Sequence, residues 1–461
     1  MNSTMFLKPL SAVLAASVLA GCGSMIPAYE RPAAPVPQAF PYNPDAPAAT
    51  TAELGWRAFF ADERLRTLVD TALRNNRDLR IAVLNIEQAR AQYDIRRADR
   101  LPTVGVTASG SRVPTASGNT ATSYSVGLGF SAWEIDFFGR IASLSESALA
   151  QFLGTEEGRK AAQMTLVASV ANTWLALAAD EELLALTRQT LATREESLRL
   201  TRLRFEGGAS SEIDFRQAQS LTESARATLA QLERQRATDL NLLGLLLGEA
   251  VPPAYRVGIT TATVQLPDVP AGLPSDVLAR RPDVRQAEQV LLAANANIGA
   301  ARAAFFPRIS LTAGIGTASG ELSGLFNGGN WALSVAPQLL APIFDAGRNE
   351  ANLASARVAR DIAIAQYERA VQSAFREVAD GLAGRATWAD QLRAQGNVVE
   401  AEAARLRLAQ LRYEGGVASY LDLLDAQRSL FAAQQSLVQA RLARLQNQVQ
   451  LFRALGGGWR E

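Results

Sequence analysis

The residues best placed to do chemistry follow a Tyr413-Glu414-Gly415-Gly416 breaker: Leu421, Asp422, Asp425 and Arg428. The three charged residues stand three apart, so on a helix they share one face, where they could hold cations, pair with each other or repel like groups. Catalysis is a different question. The chain has no His and a single cysteine, Cys22, which excludes Ser-His-Asp and Cys-His nucleophiles and His-bearing metal sites. Carboxylates alone form no catalytic constellation, so the reading is no enzyme, no cofactor and no metal centre. A formal charge of +1 supplies no field of one sign to attract nucleic acid.

An earlier stretch nearly repeats the breaker. Arg204-Phe205-Glu206-Gly207-Gly208 precedes Asp214, which aligns with Asp422, whereas Gln217 and Ser220 stand where Asp425 and Arg428 stand. The match extends along the chain. Arg77-Asp78-Leu79-Arg80 is answered by Pro282-Asp283-Val284-Arg285, Pro102 by Pro307, and Gly139-Arg140 by Gly347-Arg348. The expected unit is therefore helix, two strands, long helix, turn, helix, present twice: residues 56–260 and 261–461.

The elements that must position the acids are long. No proline interrupts Gly139 to Phe205 or Gly347 to Tyr413, which predicts two helices of about 100 Å at 1.5 Å per residue. Such helices need neighbours along their whole length. Leu430, Ala433, Leu437 and Ala440 form one apolar stripe, and Val438, Leu442, Leu445, Val449 and Phe452 an adjoining one. Two stripes imply more than one neighbour, a wall of helices.

Strands are predicted near 103–113, 122–134, 308–318 and 330–341. Tyr124, Val126, Leu128 and Phe130 alternate with serines and glycines, and Ile309, Leu311, Ala313 and Ile315 alternate likewise. Period-two segments of about ten residues, apolar on one face and small or polar on the other, suit a transmembrane barrel. Aromatic residues sit near their ends: Trp133, Phe305, Phe306, Phe326 and Trp331. Four strands cannot close a barrel, and an open edge in lipid leaves backbone groups unsatisfied. Two copies would give eight strands and three would give twelve; the wide helical wall favours three.

The N-terminus reads as a secretory signal over 1–21: Lys8, an apolar run, then Leu19-Ala20-Gly21-Cys22. That tetrapeptide resembles the bacterial lipobox, which implies covalent lipid on Cys22 and, with Gly23 following, the outer membrane. Residues 22–55 are rich in Pro and Ala and read as a lipid-anchored extended arm.

Together these features resemble the outer membrane factor family of TolC-like proteins, in its OprM-like lipoprotein branch. The marks are Leu19 to Cys22, the paired Glu-Gly-Gly turns, "YLDLLDAQRSLFAAQQSL" from Tyr420, and Gly456-Gly457-Gly458-Trp459. The resemblance implies a mixed α and β membrane protein: a homotrimer with four transmembrane strands per chain, continued by a periplasmic helical barrel. It implies an exit channel for drugs and other small toxic compounds, partnered by a periplasmic adaptor and an inner membrane resistance-nodulation-division pump. Carried over by motif, Leu421, Asp422, Asp425 and Arg428 line a periplasmic gate. Phe205, Gly207, Gly208, Asp214, Arg412, Tyr413, Gly415 and Gly416 form the hairpin tips, where the Tyr413 hydroxyl could bond across. The acids confined to the second copy make it the moving gate and the first copy the frame. The TolC pattern has an arginine four residues before Asp422, but here Ala418 stands there, leaving Arg412 or Arg428 as the latch. Two alternatives stay open: a type I secretion exit channel, and a lipid-anchored coiled-coil protein that never spans the membrane.

Overall fold

A computed structural model describes residues 24–42, 55–116, 118–255, 260–267 and 275–460. Cys22 and the signal at 1–21 lie outside the described residues. The helices are α1 (Trp56–Phe59), α2 (Glu63–Asn75), α3 (Arg77–Ala98), α4 (Arg140–Glu206), α5 (Glu212–Leu247), α6 (Pro282–Ala303), α7 (Arg348–Glu414) and α8 (Tyr420–Ala454). The strands are β1 (Gly105–Pro114), β2 (Thr120–Ile135), β3 (Arg308–Ser319) and β4 (Trp331–Leu340). The order helix, two strands, long helix, helix occurs twice, and α4 and α7 are each 67 residues long. By length and composition α4 alone among the described helices could cross a membrane, but two thirds of its apolar window is buried inside the chain.

The compact units cut across the two halves of the sequence. One takes Leu84–Glu157, Arg285–Arg369 and the arm up to Ala33; the other takes Ala34–Val83, Gly158–Val284 and Ala370–Glu461. The physical reason is strand pairing, because β2 of the first half pairs with β3 of the second. Neither half can close its own sheet.

In the first unit the four strands form one antiparallel sheet in the order β1-β2-β3-β4. Val106, Leu128, Ile315 and Leu333 pair in register straight across it, and all four are more than half exposed. The adjacent row is Gly105, Gly129, Gly314 and Ser334. One face is therefore a band of exposed aliphatic side chains, the other a surface of glycine and hydroxyl groups. A β-carbon on Gly129 would sit 2.6 Å from the Ala313 carbonyl oxygen, so this face approaches its neighbour too closely for any side chain. A bulge between Phe130 and Trp133 bends β2.

The arm lies along α6 and runs opposite to it. Glu288 accepts from the Tyr29 hydroxyl at 3.0 Å and from Arg31 at 2.7 and 2.8 Å. Asn295 donates to the Pro27 carbonyl at 2.8 Å and Arg302 to the Met25 carbonyl at 3.2 Å. Gly299 lets the arm in, since a β-carbon there would lie 2.9 Å from the Ile26 backbone nitrogen. Extended, proline-rich chain has spare backbone acceptors, and the polar side chains of α6 take them.

The second unit is helical. Trp56, Phe59 and Phe60 are fully buried, and Phe59 stacks on Phe452 of α8 at 4.0 Å. The glycine run that follows α8 returns the chain to this core: Gly456 and Gly458 have φ of 87° and 104°, and the Arg460 carbonyl accepts from Trp56 N–H at 3.2 Å.

Candidate gate at the hairpin tips

Each long helix ends in the same turn. Ala209 N–H bonds the Arg204 carbonyl at 2.7 Å and Gly208 N–H bonds that of Phe205 at 2.9 Å; Val417 and Gly416 repeat the pattern onto Arg412 and Tyr413 at 2.9 and 3.0 Å. These are Schellman closures, which place the left-handed residue at the second glycine. Gly208 (φ 74°) and Gly416 (φ 71°) take it, while Gly207 and Gly415 stay on the helical path, bonding to Leu203 and Leu411.

The return helices begin with matching capping boxes. The Asp214 carboxylate accepts from Ser211 N–H at 3.3 Å and its hydroxyl at 2.8 Å, and Asp422 accepts from Ser419 N–H at 3.2 Å and its hydroxyl at 3.0 Å. Asp214 N–H and Asp422 N–H donate back to the serine oxygens. The two aligned acids therefore share a helix-starting role. Asp422 is turned to its own N-terminus.

Asp425 has different company. Arg405, on α7, reaches across the hairpin to one carboxylate oxygen at 2.5 Å, and Arg428, one turn along α8, holds the other at 2.5 Å. Arg405 also bonds Glu402 at 3.2 Å and the Ser429 hydroxyl at 3.3 Å. The hydrogen bond from Arg405 comes first among the causes that hold the Asp425 carboxyl below its usual range. Arg405 stands ten residues before Gly415 and Asp425 nine after Gly416, so the hairpin brings them level. Ser197 and Gln217 occupy these places in the first hairpin. The clamp belongs to the second hairpin alone.

The other tip residues join the two hairpins. Arg204 donates to the Tyr413 hydroxyl, and Tyr420 and Ser197 share a hydrogen bond at 2.7 Å. Tyr413 and Tyr420 have ring centroids 5.4 Å apart, above a small core of Ala218, Leu423 and Leu424. Phe205 instead stacks on Phe215 at 5.6 Å within its own hairpin. Leu421 is 54% exposed. Arg412 is exposed, and among the described residues its guanidinium meets no acid. Of the two latch candidates, Arg428 is the one paired to an acid; Arg405 is the partner that sequence reasoning missed.

Farther along the same unit, the Asp180 carboxyl is pushed up to about 7, first by burial and then by the charge and hydrogen bond of Asp239. Glu181 adds to the rise and Arg236 opposes it. The folded state therefore holds the proton more tightly than the unfolded chain. That contribution is full below the ordinary carboxylate range, shrinks as pH rises and is gone above about 7. Asp180→Asn is expected to melt higher than the wild type at pH 8 and alike at pH 4. Thermal melts followed by circular dichroism at both pH values check this; an equal offset at both would remove the shared proton.

A family model described as outer membrane efflux protein matches residues 68–249 and 273–457. The chain is 48% identical to the probable efflux pump outer membrane protein TtgC of Pseudomonas putida, over 98% of this chain and 96% of that one. Among solved structures, a membrane protein from Pseudomonas aeruginosa superposes with TM-score 0.89 at 44% identity, covering 95% of this chain and 98% of that one. The open state of the MtrE outer membrane channel of Neisseria gonorrhoeae gives TM-score 0.87 at 42% identity, covering 95% and 99%. With both halves of the chain matched, the sheet of lipid-suited strands and the paired helical hairpins have one common explanation: the chain belongs to the outer membrane efflux protein family.

Proposed function

We propose that this outer membrane exit channel of a tripartite efflux pump works as a homotrimer, passively conducting drugs and other small toxic compounds delivered by a periplasmic adaptor and a resistance-nodulation-division pump. The observation that carries the reading is the sheet: β1 and β4 are its two edges, and every residue of both is exposed. In a bilayer those edges must pair with something, and the β1 edge of one copy and the β4 edge of the next satisfy each other. The aliphatic row then meets lipid, and the glycine and hydroxyl face lines water. The tip hairpins supply the gate, with the Asp425 clamp as its charged element and Leu421 as an apolar ring beside it.

A lipid on Cys22 fits the direction of the arm. Met25 is held at Arg302, six residues before β3 starts. An acyl chain on Cys22 would bury its CH₂ groups in the leaflet and tether the arm to it. In a Gram-negative strain lacking its own exit duct, the chain expressed with its adaptor and pump is expected to restore drug resistance. Cys22→Ser is expected to lose incorporation of labelled palmitate while the purified protein still runs as a trimer. No rescue by a properly assembled wild type would sink the efflux reading.

A further inference from the structure

The helical unit buries two arginines among its described residues, Arg194 and Arg281. Arg281 has Asp283 and Glu377. Arg194 has no acid. Its neighbours Glu195 and Glu196 are committed to Arg226 and Arg199. What Arg194 has is the Leu221 carbonyl, to which one terminal nitrogen donates at 3.0 Å, and the face of Phe431, 5.2 Å from its guanidinium carbon. Its Nε is buried without a hydrogen-bond partner. Burial alone pulls its affinity for the proton down, and an arginine keeps its charge in proteins.

A buried guanidinium with donors to spare is destabilising unless something compensates it. Beside it is a recess of about 180 Å³. Its wall combines Arg194, Gln189 and Gln427 with Leu406, Leu430 and Phe431, and the Gln427 side-chain oxygen is also buried and unpartnered. An apolar cavity of about 150 Å³ takes one benzene ring, so this recess admits one small ring carrying one polar group. We propose that it is a binding site for a small aromatic carboxylate. The carboxylate meets the Arg194 guanidinium where it lines the recess, and the ring lies against Leu406, Leu430 and Phe431. Such a ligand would touch α4 of one hairpin and α7 and α8 of the other. The site stands on this geometry alone and does not depend on the reading of the gate.

Isothermal titration of the full-length chain in detergent with benzoate, and with benzamide as the neutral isostere, tests it. Benzoate is expected to bind roughly tenfold or more tightly than benzamide, the worth of one hydrogen bond to a charged group. Arg194→Gln is expected to abolish that preference. Leu406→Trp keeps the arginine and fills the recess, so it is expected to weaken benzoate binding even if Arg194→Gln folds poorly. Benzoate and benzamide binding alike, benzoate binding unchanged in a folded Leu406→Trp, or no benzoate binding at all would each overturn the proposal. If wild type ignores benzoate while Arg194→Gln dissociates the oligomer, the proposal is likewise overturned, and the guanidinium serves an acid of a second copy.

Discussion

Arg405→Ala is expected to raise single-channel conductance in planar bilayers several-fold over wild type. The Asp425 carboxylate is held from two sides, by Arg405 across the hairpin and Arg428 along the helix. Both arginines are about half exposed or more, so each pair in isolation is worth little and weakens in salt. Geometry, not pair energy, gives the variant its effect. Among the described residues Arg405 is the charged tie from α7 to Asp425 on α8, and in the proposed homotrimer an acid released there would face its own copies around a narrow axis. Asp425→Ala removes the tie and the charge together, and it too is expected to conduct more. Asp422→Ala is the discriminating control. It breaks a capping box, costing about 1 kcal/mol of local helix stability, and is expected to leave conductance near wild type. The pH dependence has a definite sign. A carboxyl held below its usual range keeps its pairing throughout the ordinary carboxylate range and loses it as pH falls through the lowered value. Wild-type conductance should therefore rise only on strong acidification. Opening by Asp422→Ala with no change in Asp425→Ala or Arg405→Ala would reject the clamp.

Long-period features are legible in the sequence itself. The absence of proline from Gly139 to Phe205 was enough to expect a helix of that length, and the alternation around Val126 and Leu128 was enough to expect a two-faced strand. Pairing was harder to see. No local pattern says that Leu128 pairs with Ile315, because register over such a separation is chosen by the whole sheet. For the same reason the compact units could not be read from the repeat boundary.

The gate residues divide along similar lines. The spacing Asp422, Asp425, Arg428 suggested one charged face, yet Ser419-x-x-Asp422 is also a capping box, and at a helix start the box wins. An acid at the third helical position can reach the backbone N–H of the cap residue. Arg405 carries a signal in its spacing from the turn. Residues equidistant from a tight turn come level on the two arms of a hairpin, so counting back from Gly415 as far as Asp425 lies beyond Gly416 finds it within one residue. Arg194 carries no signal in the sequence at all, since its burial depends on Phe431 and Leu221 arriving from other parts of the chain.

The largest stability effect is expected at Arg281. Its side chain is 5% exposed and joins three segments. It donates to both oxygens of Asp283 at 3.0 and 2.7 Å, to Glu377 at 2.9 Å, and to the Ala454 carbonyl at the end of α8 at 2.6 Å. Burial pushes the Asp283 carboxyl up, but the Arg281 hydrogen bonds and charge outweigh it and leave the carboxyl below its usual range. Arg281→Ala strands a buried carbonyl and leaves Glu377 with only Arg453, at 3.4 Å. Breaking a buried ion pair from one side costs about 3–5 kcal/mol, so Tm should fall by roughly 6–20 °C at about 2–4 °C per kcal/mol. Arg281→Lys keeps the charge but cannot span Asp283, Glu377 and Ala454 at once, and should fall between. Arg57→Ala is the surface comparison: Arg57 pairs with Asp70 at 2.6 Å but is 47% exposed, and its loss should cost no more than about 1 kcal/mol. Acid sensitivity gives a second readout. With Arg281 gone, Asp283 loses the largest of the causes that lower it, so the stability it contributes above the ordinary carboxylate range should shrink, and the acid limb of the melting profile should flatten. Equal Tm losses for Arg281→Ala and Arg57→Ala would show that the buried network does not hold the end of α8.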